Sequence, residues 1–223
     1  MLKRCLVGTA LILFMVGFTA TDILGQQDMT AKTQPSDDES AKKADAFLSQ
    51  WDKKDMPGCA VGVVKDGKLI YKRAFGMANL DYDVPNTTST LFNLASVSKP
   101  FTAFSIALLA QQGKLSLDDD IRKYVPEMPK YDDTVTIRHL IHHTSGIREY
   151  QALVMFGGLG TDNAYSDKDI LTILARQKNI SFKPGAKYQY SNSGYFLMGI
   201  IVERVSGKSL RRLPRKTFSS LWA

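Results

Sequence analysis

One stretch constrains the fold more than any other. SKPFTAFSIALLAQQ, residues 98–112, is apolar on nearly every face of a helix. A helix apolar all round is a buried helix, so the chain must supply elements to cover it. Pro100 suits its first turn, where a missing N–H costs nothing, and Gly113 suits its end. GYFLMGIIVERV, residues 194–205, reads as a second buried helix closed by Gly207.

Between and before these helices the signals are local. Asp66-Gly67 lies between two β-rich runs and predicts an antiparallel hairpin, residues 59–64 and 68–75. A short amphipathic helix is expected over 46–53. Ser116 with Asp118, Asp119 and Asp120 predicts a short helix start. Another is expected over 136–143. Ser166 and Asp169 have capping-box spacing at the head of a further one. A hairpin followed by helices, without βαβ alternation, predicts an α+β fold.

The ends of the chain read differently. Residues 1–25 carry Lys3 and Arg4, then an apolar run, then polar residues, the pattern of a cleaved secretory signal. That run is shorter than the ~20 residues a spanning helix needs, so no membrane helix is expected after cleavage and the location expected is secreted or periplasmic. Residues 26–45 are polar and read as a flexible linker. Cys59 would then be the sole cysteine, placed in an apolar run as a small core residue. The formal charge of +7 comes largely from Lys3, Arg4, Arg211, Arg212, Arg215 and Lys216. No basic face is left on the body, so nucleic acid is excluded as a partner.

Chemistry concentrates at the mouth of the first buried helix. Ser96 and Lys99 are three apart and share a helical face. A serine is a weak nucleophile until a base removes its proton. Burial disfavours an ammonium, which can make a lysine that base. The helix N-terminus adds a field that favours developing negative charge. The spacing alone is weak, since Ser40 and Lys43 match it within the linker. The residues leave Ser96 open as either a nucleophile or a helix cap. Tyr190-Ser191-Asn192 precedes the second buried helix. A lysine neighbour favours phenolate character in Tyr190, and Asn192 can accept from Lys99 and donate to a substrate carbonyl. The competing reading has Tyr190 packing and Asn192 capping. His139 and His143 form an i,i+4 pair, but no H-E-x-x-H glutamate or third ligand is evident, so no metal or cofactor is expected.

Five segments in order resemble the serine β-lactamase and penicillin-binding family, on the side of class C β-lactamases, DD-peptidases and related esterases. They are MPGCAVGVVKDGKLIY, LFNLASVSKPFTAF, GKLSLDDDIRKYVPEMP, TIRHLIHHTSGI and FKPGAKYQYSNSGYFLMGIIVERVSGKSL. The resemblance implies a β-lactamase/transpeptidase-like fold whose N-terminal portion occupies residues 46–210. It implies Ser96 as the acylated nucleophile, Lys99 as its base, Tyr190 as a second proton-transfer residue and Asn192 as a substrate contact. HHTSGI falls in a structural turn. The implied substrates are small molecules or peptides: β-lactams, D-Ala-D-Ala peptides or small esters. The alternative is a non-catalytic relative that binds cell-wall peptide or a protein partner.

After Asn192 nothing matches the family's third motif, Lys-Thr-Gly or His-x-Gly, and the later strands and C-terminal helix are lacking. The expectation is a truncated, poorly soluble chain without turnover, since losing one oxyanion donor alone costs about 10²–10³ in rate. Residues 211–223 show no family character and are expected to be an aberrant, frameshifted tail. One synonymous coding of residues 214–223, read one base earlier, gives Ala-Glu-Lys-Asn-Ile-Phe-Lys-Pro-Leu-Gly, similar to the family's continuation.

Overall fold

The computed structural model describes residues 39–158, 160 and 164–210. The expected leader, most of the linker and the tail lie outside the described residues. Those described fall into two compact units that divide between Val97 and Ser98.

The first unit opens with helix α1 (Glu39–Leu48), so ordered structure begins seven residues earlier than residue 46, inside the expected linker. Lys43 forms an exposed i,i+4 ion pair with Glu39 at 2.7 Å, which accounts for the second Ser-x-x-Lys match as part of a solvated helix. Strands β1 (Cys59–Lys65) and β2 (Lys68–Phe75) form the expected hairpin. Asp66 and Gly67 have φ of 50° and 73°, the paired positive values of a tight hairpin turn. Along β2, Tyr71, Arg73 and Phe75 are buried, the period of two that one covered face requires. Asp45 of α1 reaches this face. Its Oδ1 accepts from the Tyr71 hydroxyl at 2.6 Å and lies 3.4 Å from Arg73 Nε. Cys59 is half-buried, and burial pushes its thiol pKa up. A small second sheet pairs β3 (Met77–Asn79) with β4 (Val84–Pro85). Gly58 and Gly76 let two backbones touch. A Cβ on Gly58 would lie 1.8 Å from the Phe75 carbonyl oxygen.

The second unit is helical. It comprises α2 (Lys99–Gln111), α3 (Ile137–Ile141), α4 (Tyr150–Phe156), α5 (Asp167–Ala175) and α6 (Asn192–Ser206). Its core joins Ile106 and Leu109 of α2 to Leu197, Met198, Ile201 and Val202 of α6, all essentially inaccessible. Each such aliphatic side chain contributes about 1.5–3 kcal/mol on burial. Leu140 of α3, Val154 of α4 and Leu174 of α5 complete the same cluster. Helix α2 is less enclosed than its composition suggests. Only Thr102, Ser105, Ile106 and Leu109 are buried, and the rest of its apolar surface is partly accessible or exposed. The hydroxyl of Ser105 donates to the Phe101 carbonyl at 2.8 Å, so this polar group is satisfied within the helix.

Besides α1, which spans Glu39–Leu48 and not 46–53, three further elements differ from expectation. The acidic run after Ser116 starts only a 3-10 turn (Ile121–Lys123), capped by Asp120. Helix α3 ends at Ile141 because His143 takes a left-handed φ of 57°. Helix α4 had no sequence signal: Glu149 precedes it without a side-chain cap bond. Ser166 and Asp169 make the predicted capping box on α5, and Gly207 closes α6 at φ 67°. Among the described residues no helix is long and apolar enough to cross a membrane.

Candidate active site

The chain enters α2 through a 3-10 turn, Ala95–Ser98. Ala95 holds φ of 44°, and its N–H donates to Asn93 Oδ1 at 2.8 Å. A left-handed alanine costs roughly 1–2 kcal/mol, so the Asn93 bond offsets strain immediately before Ser96. Ser96 is exposed in this turn. The N-cap position of α2 belongs to Ser98, whose side chain makes no capping bond.

Lys99 is the first residue of α2 and is half-buried. Its Nζ donates to Asn192 Oδ1 at 2.8 Å. The same nitrogen lies 4.9 Å from the centroid of the Tyr190 ring and 5.5 Å from that of Tyr195. An amide oxygen and two π faces thus surround it with negative potential. Asn192 is the first residue of α6. Its Nδ2 donates to Gln151 Oε1 at 2.9 Å, which agrees with its oxygen facing the lysine. The cap of α6 is Ser191, whose Oγ accepts from Gly194 N at 3.2 Å, so Asn192 is released from the capping role.

Two residues hold this segment in place. His143 accepts at both its backbone oxygen, from Gln189 N at 2.8 Å, and its Nδ1, from Ser191 N at 3.0 Å. Its ring stacks on Tyr190 with centroids 4.6 Å apart and lies 5.0 Å from that of Tyr195. Burial pushes its pKa below the ordinary 6.5, and the charge of Lys99 pushes the same way. Glu149 Oε2 accepts from Asn192 N at 2.6 Å and Ser193 N at 3.4 Å. A carboxylate on the first N–H groups of α6 answers the positive end of that helix.

Of the four residues singled out in the sequence, the structure gathers Lys99, Tyr190 and Asn192, and Ser96 sits in the turn three residues ahead of Lys99. His139 and His143 act separately. His139 Nδ1 accepts from Thr136 N at 3.2 Å, completing the capping box of α3. His143, Glu149, Gln151 and Tyr195 carry the surroundings of Lys99, and sequence reading did not find them.

The family model described as Beta-lactamase matches residues 43–221. The chain belongs to the β-lactamase family. Its relatives include Penicillin-binding protein 4* of Bacillus subtilis, 38% identical over 144 residues, and a D-aminopeptidase of Gluconobacter oxydans, 31% identical over 157 residues. These matches cover 64% and 70% of this chain but 31% and 29% of those proteins, so the chain spans less than a third of their length. Among solved structures it is similar to the octameric penicillin-binding protein homologue from Pyrococcus abyssi. That match has a TM-score of 0.66 at 30% identity and covers 82% of this chain and 42% of that one. The β-lactamase/transpeptidase-like fold follows, as do homologues that are serine hydrolases. In this β-lactamase-family chain, the cluster of Lys99, Tyr190 and Asn192 falls within the matched residues.

Proposed function

We propose that the chain carries the Ser96 centre of a serine hydrolase that acts on amides or esters through an acyl-enzyme, without turnover of its own. The observation that carries the reading is the bond from Lys99 Nζ to Asn192 Oδ1, beside the Tyr190 ring and three residues after the serine. Lys99 takes the proton of Ser96 Oγ as that oxygen bonds to the substrate carbonyl carbon. Tyr190 passes a proton to the departing nitrogen or oxygen as the scissile bond breaks and takes up in its place the proton that Lys99 received. Water then cleaves the ester and restores the serine hydroxyl. Asn192 orients the substrate by hydrogen bonding.

The names of the relatives support substrates of the β-lactam or D-amino-acid peptide type. The sequence of residues 1–25 supports a secreted or periplasmic location. Labelling tests the reading without needing a full catalytic cycle. A fluorophosphonate or fluorescent penicillin should mark the folded chain, and Ser96→Ala should abolish the mark. A folded chain that neither reagent labels would favour a non-catalytic binding protein instead.

A further inference from the structure

We infer that His143 is a positioning residue whose neutral ring nitrogen fixes Tyr190 and whose protonation releases it, giving the site an acid limit. The inference rests on the reading of Tyr190 as a proton-transfer residue.

Two bonds bracket Tyr190. Gln189 N donates to the His143 carbonyl at 2.8 Å and Ser191 N donates to His143 Nδ1 at 3.0 Å. The backbone on both sides of the tyrosine is therefore tied to one residue. A ring nitrogen that accepts from an N–H carries no proton, so the imidazole is neutral with its proton on Nε2. The same ring stacks on Tyr190 and lies against Tyr195, the two rings that face Lys99 Nζ. One imidazole thus sets the backbone of Tyr190 and supports the ring surface over which the lysine sits.

Protonation reverses the ring contact and leaves the backbone bond from Gln189 in place. Nδ1 becomes a donor facing the donor Ser191 N–H, and a cation is added beneath rings already occupied by Lys99. The groups facing the imidazole are Lys99 from α2, Glu149 ahead of α4, Tyr188 and Tyr190 on the segment leading into α6, and Tyr195 within α6. His139 and His142 neighbour it on its own turn. Burial opposes the extra charge most, Lys99 opposes it as well, and Glu149 favours it. The neutral form is the one the fold holds.

The test is a pH titration of the full ¹⁵N-labelled chain by NMR, following the His143 ring and the Ser191 amide. The Ser191 amide should shift in a single step with the same midpoint as the imidazole, below 6.5. His143→Asn keeps an acceptor, tolerates φ of 57° and cannot titrate, so its Ser191 amide should stay at the high-pH position throughout. An imidazole that titrates while the Ser191 amide stays still overturns the inference, as does the same step persisting in H143N. Fluorophosphonate labelling separates this from the proposed reaction. Below the midpoint the rate at Ser96 should fall a further tenfold or so (about tenfold) per pH unit beyond the fall that protonation of the base itself imposes, and H143N should remove that further fall alone. Labelling that is insensitive to the midpoint overturns the positioning role. Absence of labelling at every pH, with the amide still following the imidazole, overturns the reaction and leaves the positioning intact.

Discussion

Lys99 Nζ and Asn192 Oδ1 lie 2.8 Å apart although 93 positions separate them in the chain. Each is the first residue of its helix, α2 and α6. Packing of these helices through Ile106, Leu109, Leu197 and Ile201 therefore delivers two helix N-termini to one place. The positive end of α2 beside the lysine favours negative charge, the requirement of an acyl-transfer transition state, while Glu149 already answers the end of α6. Lys99→Ala should lower Ser96 labelling by about 10²–10⁴-fold while circular dichroism stays unchanged. Undiminished labelling of that variant would remove Lys99 from the reaction.

Gly146 tests the support beneath the site. It has φ of 73°, and an added Cβ would lie 2.1 Å from the Phe182 carbonyl oxygen. Gly67 has the same φ but open space around it. Gly146→Ala should cost about 2–4 kcal/mol and Gly67→Ala about 1 kcal/mol, read from urea unfolding midpoints. Equal costs would show that conformation alone, and not the Phe182 contact, sets the penalty.

The hairpin unit depends on Asp45. Arg73 is 5% exposed, and its Nε has Asp45 Oδ1 at 3.4 Å. Asp45→Ala leaves that guanidinium buried without its carboxylate and also removes the acceptor of Tyr71. A loss of about 2 kcal/mol is expected, less than for a fully buried pair because Asp45 is partly exposed. Asp45→Asn, which keeps an acceptor for Tyr71, should restore part of it. No difference between the two variants would mean that the hydroxyl bond contributes nothing.

Acid should loosen the end of α6. Arg204 holds Glu127 by two bonds, 2.6 and 2.8 Å, and its hydrogen bonding lowers the Glu127 pKa from 4.5 to about 2. A carboxylate lowered by folding gives stability that is present above 4.5 and lost as pH falls toward 2. Solvent screens this exposed pair, so its worth is about 1 kcal/mol or less. Denaturation midpoints of Glu127→Gln should lie below those of the parent at pH 6 and converge with them near pH 2. A constant gap would assign the effect to packing.

Features written in neighbouring residues were legible in the sequence. Asp66-Gly67 turns the hairpin, Ser166 and Asp169 cap α5, and Gly207 ends α6, each through contacts a few positions long. Lys99, Tyr190 and Asn192, which the structure brings together, were visible because two short motifs carry them. What escaped were residues that act across the fold. Ser191 lies 48 positions from His143, and Asn192 lies 43 from Glu149. In both pairs the partner is a backbone N–H, which any residue type provides, so no pattern of side chains marks it. Helix α4 escaped for a local reason, the lack of a side-chain cap at Glu149.

The most direct measurement of the central claim is the intact mass of the chain after exposure to a β-lactam, followed by peptide mapping. Ring opening by the Ser96 hydroxyl adds the whole lactam without loss of a fragment. The account predicts one such adduct per chain, on the peptide that holds Ser96, absent in Ser96→Ala and in Lys99→Ala. An adduct on any other residue, or one that survives Ser96→Ala, would contradict it.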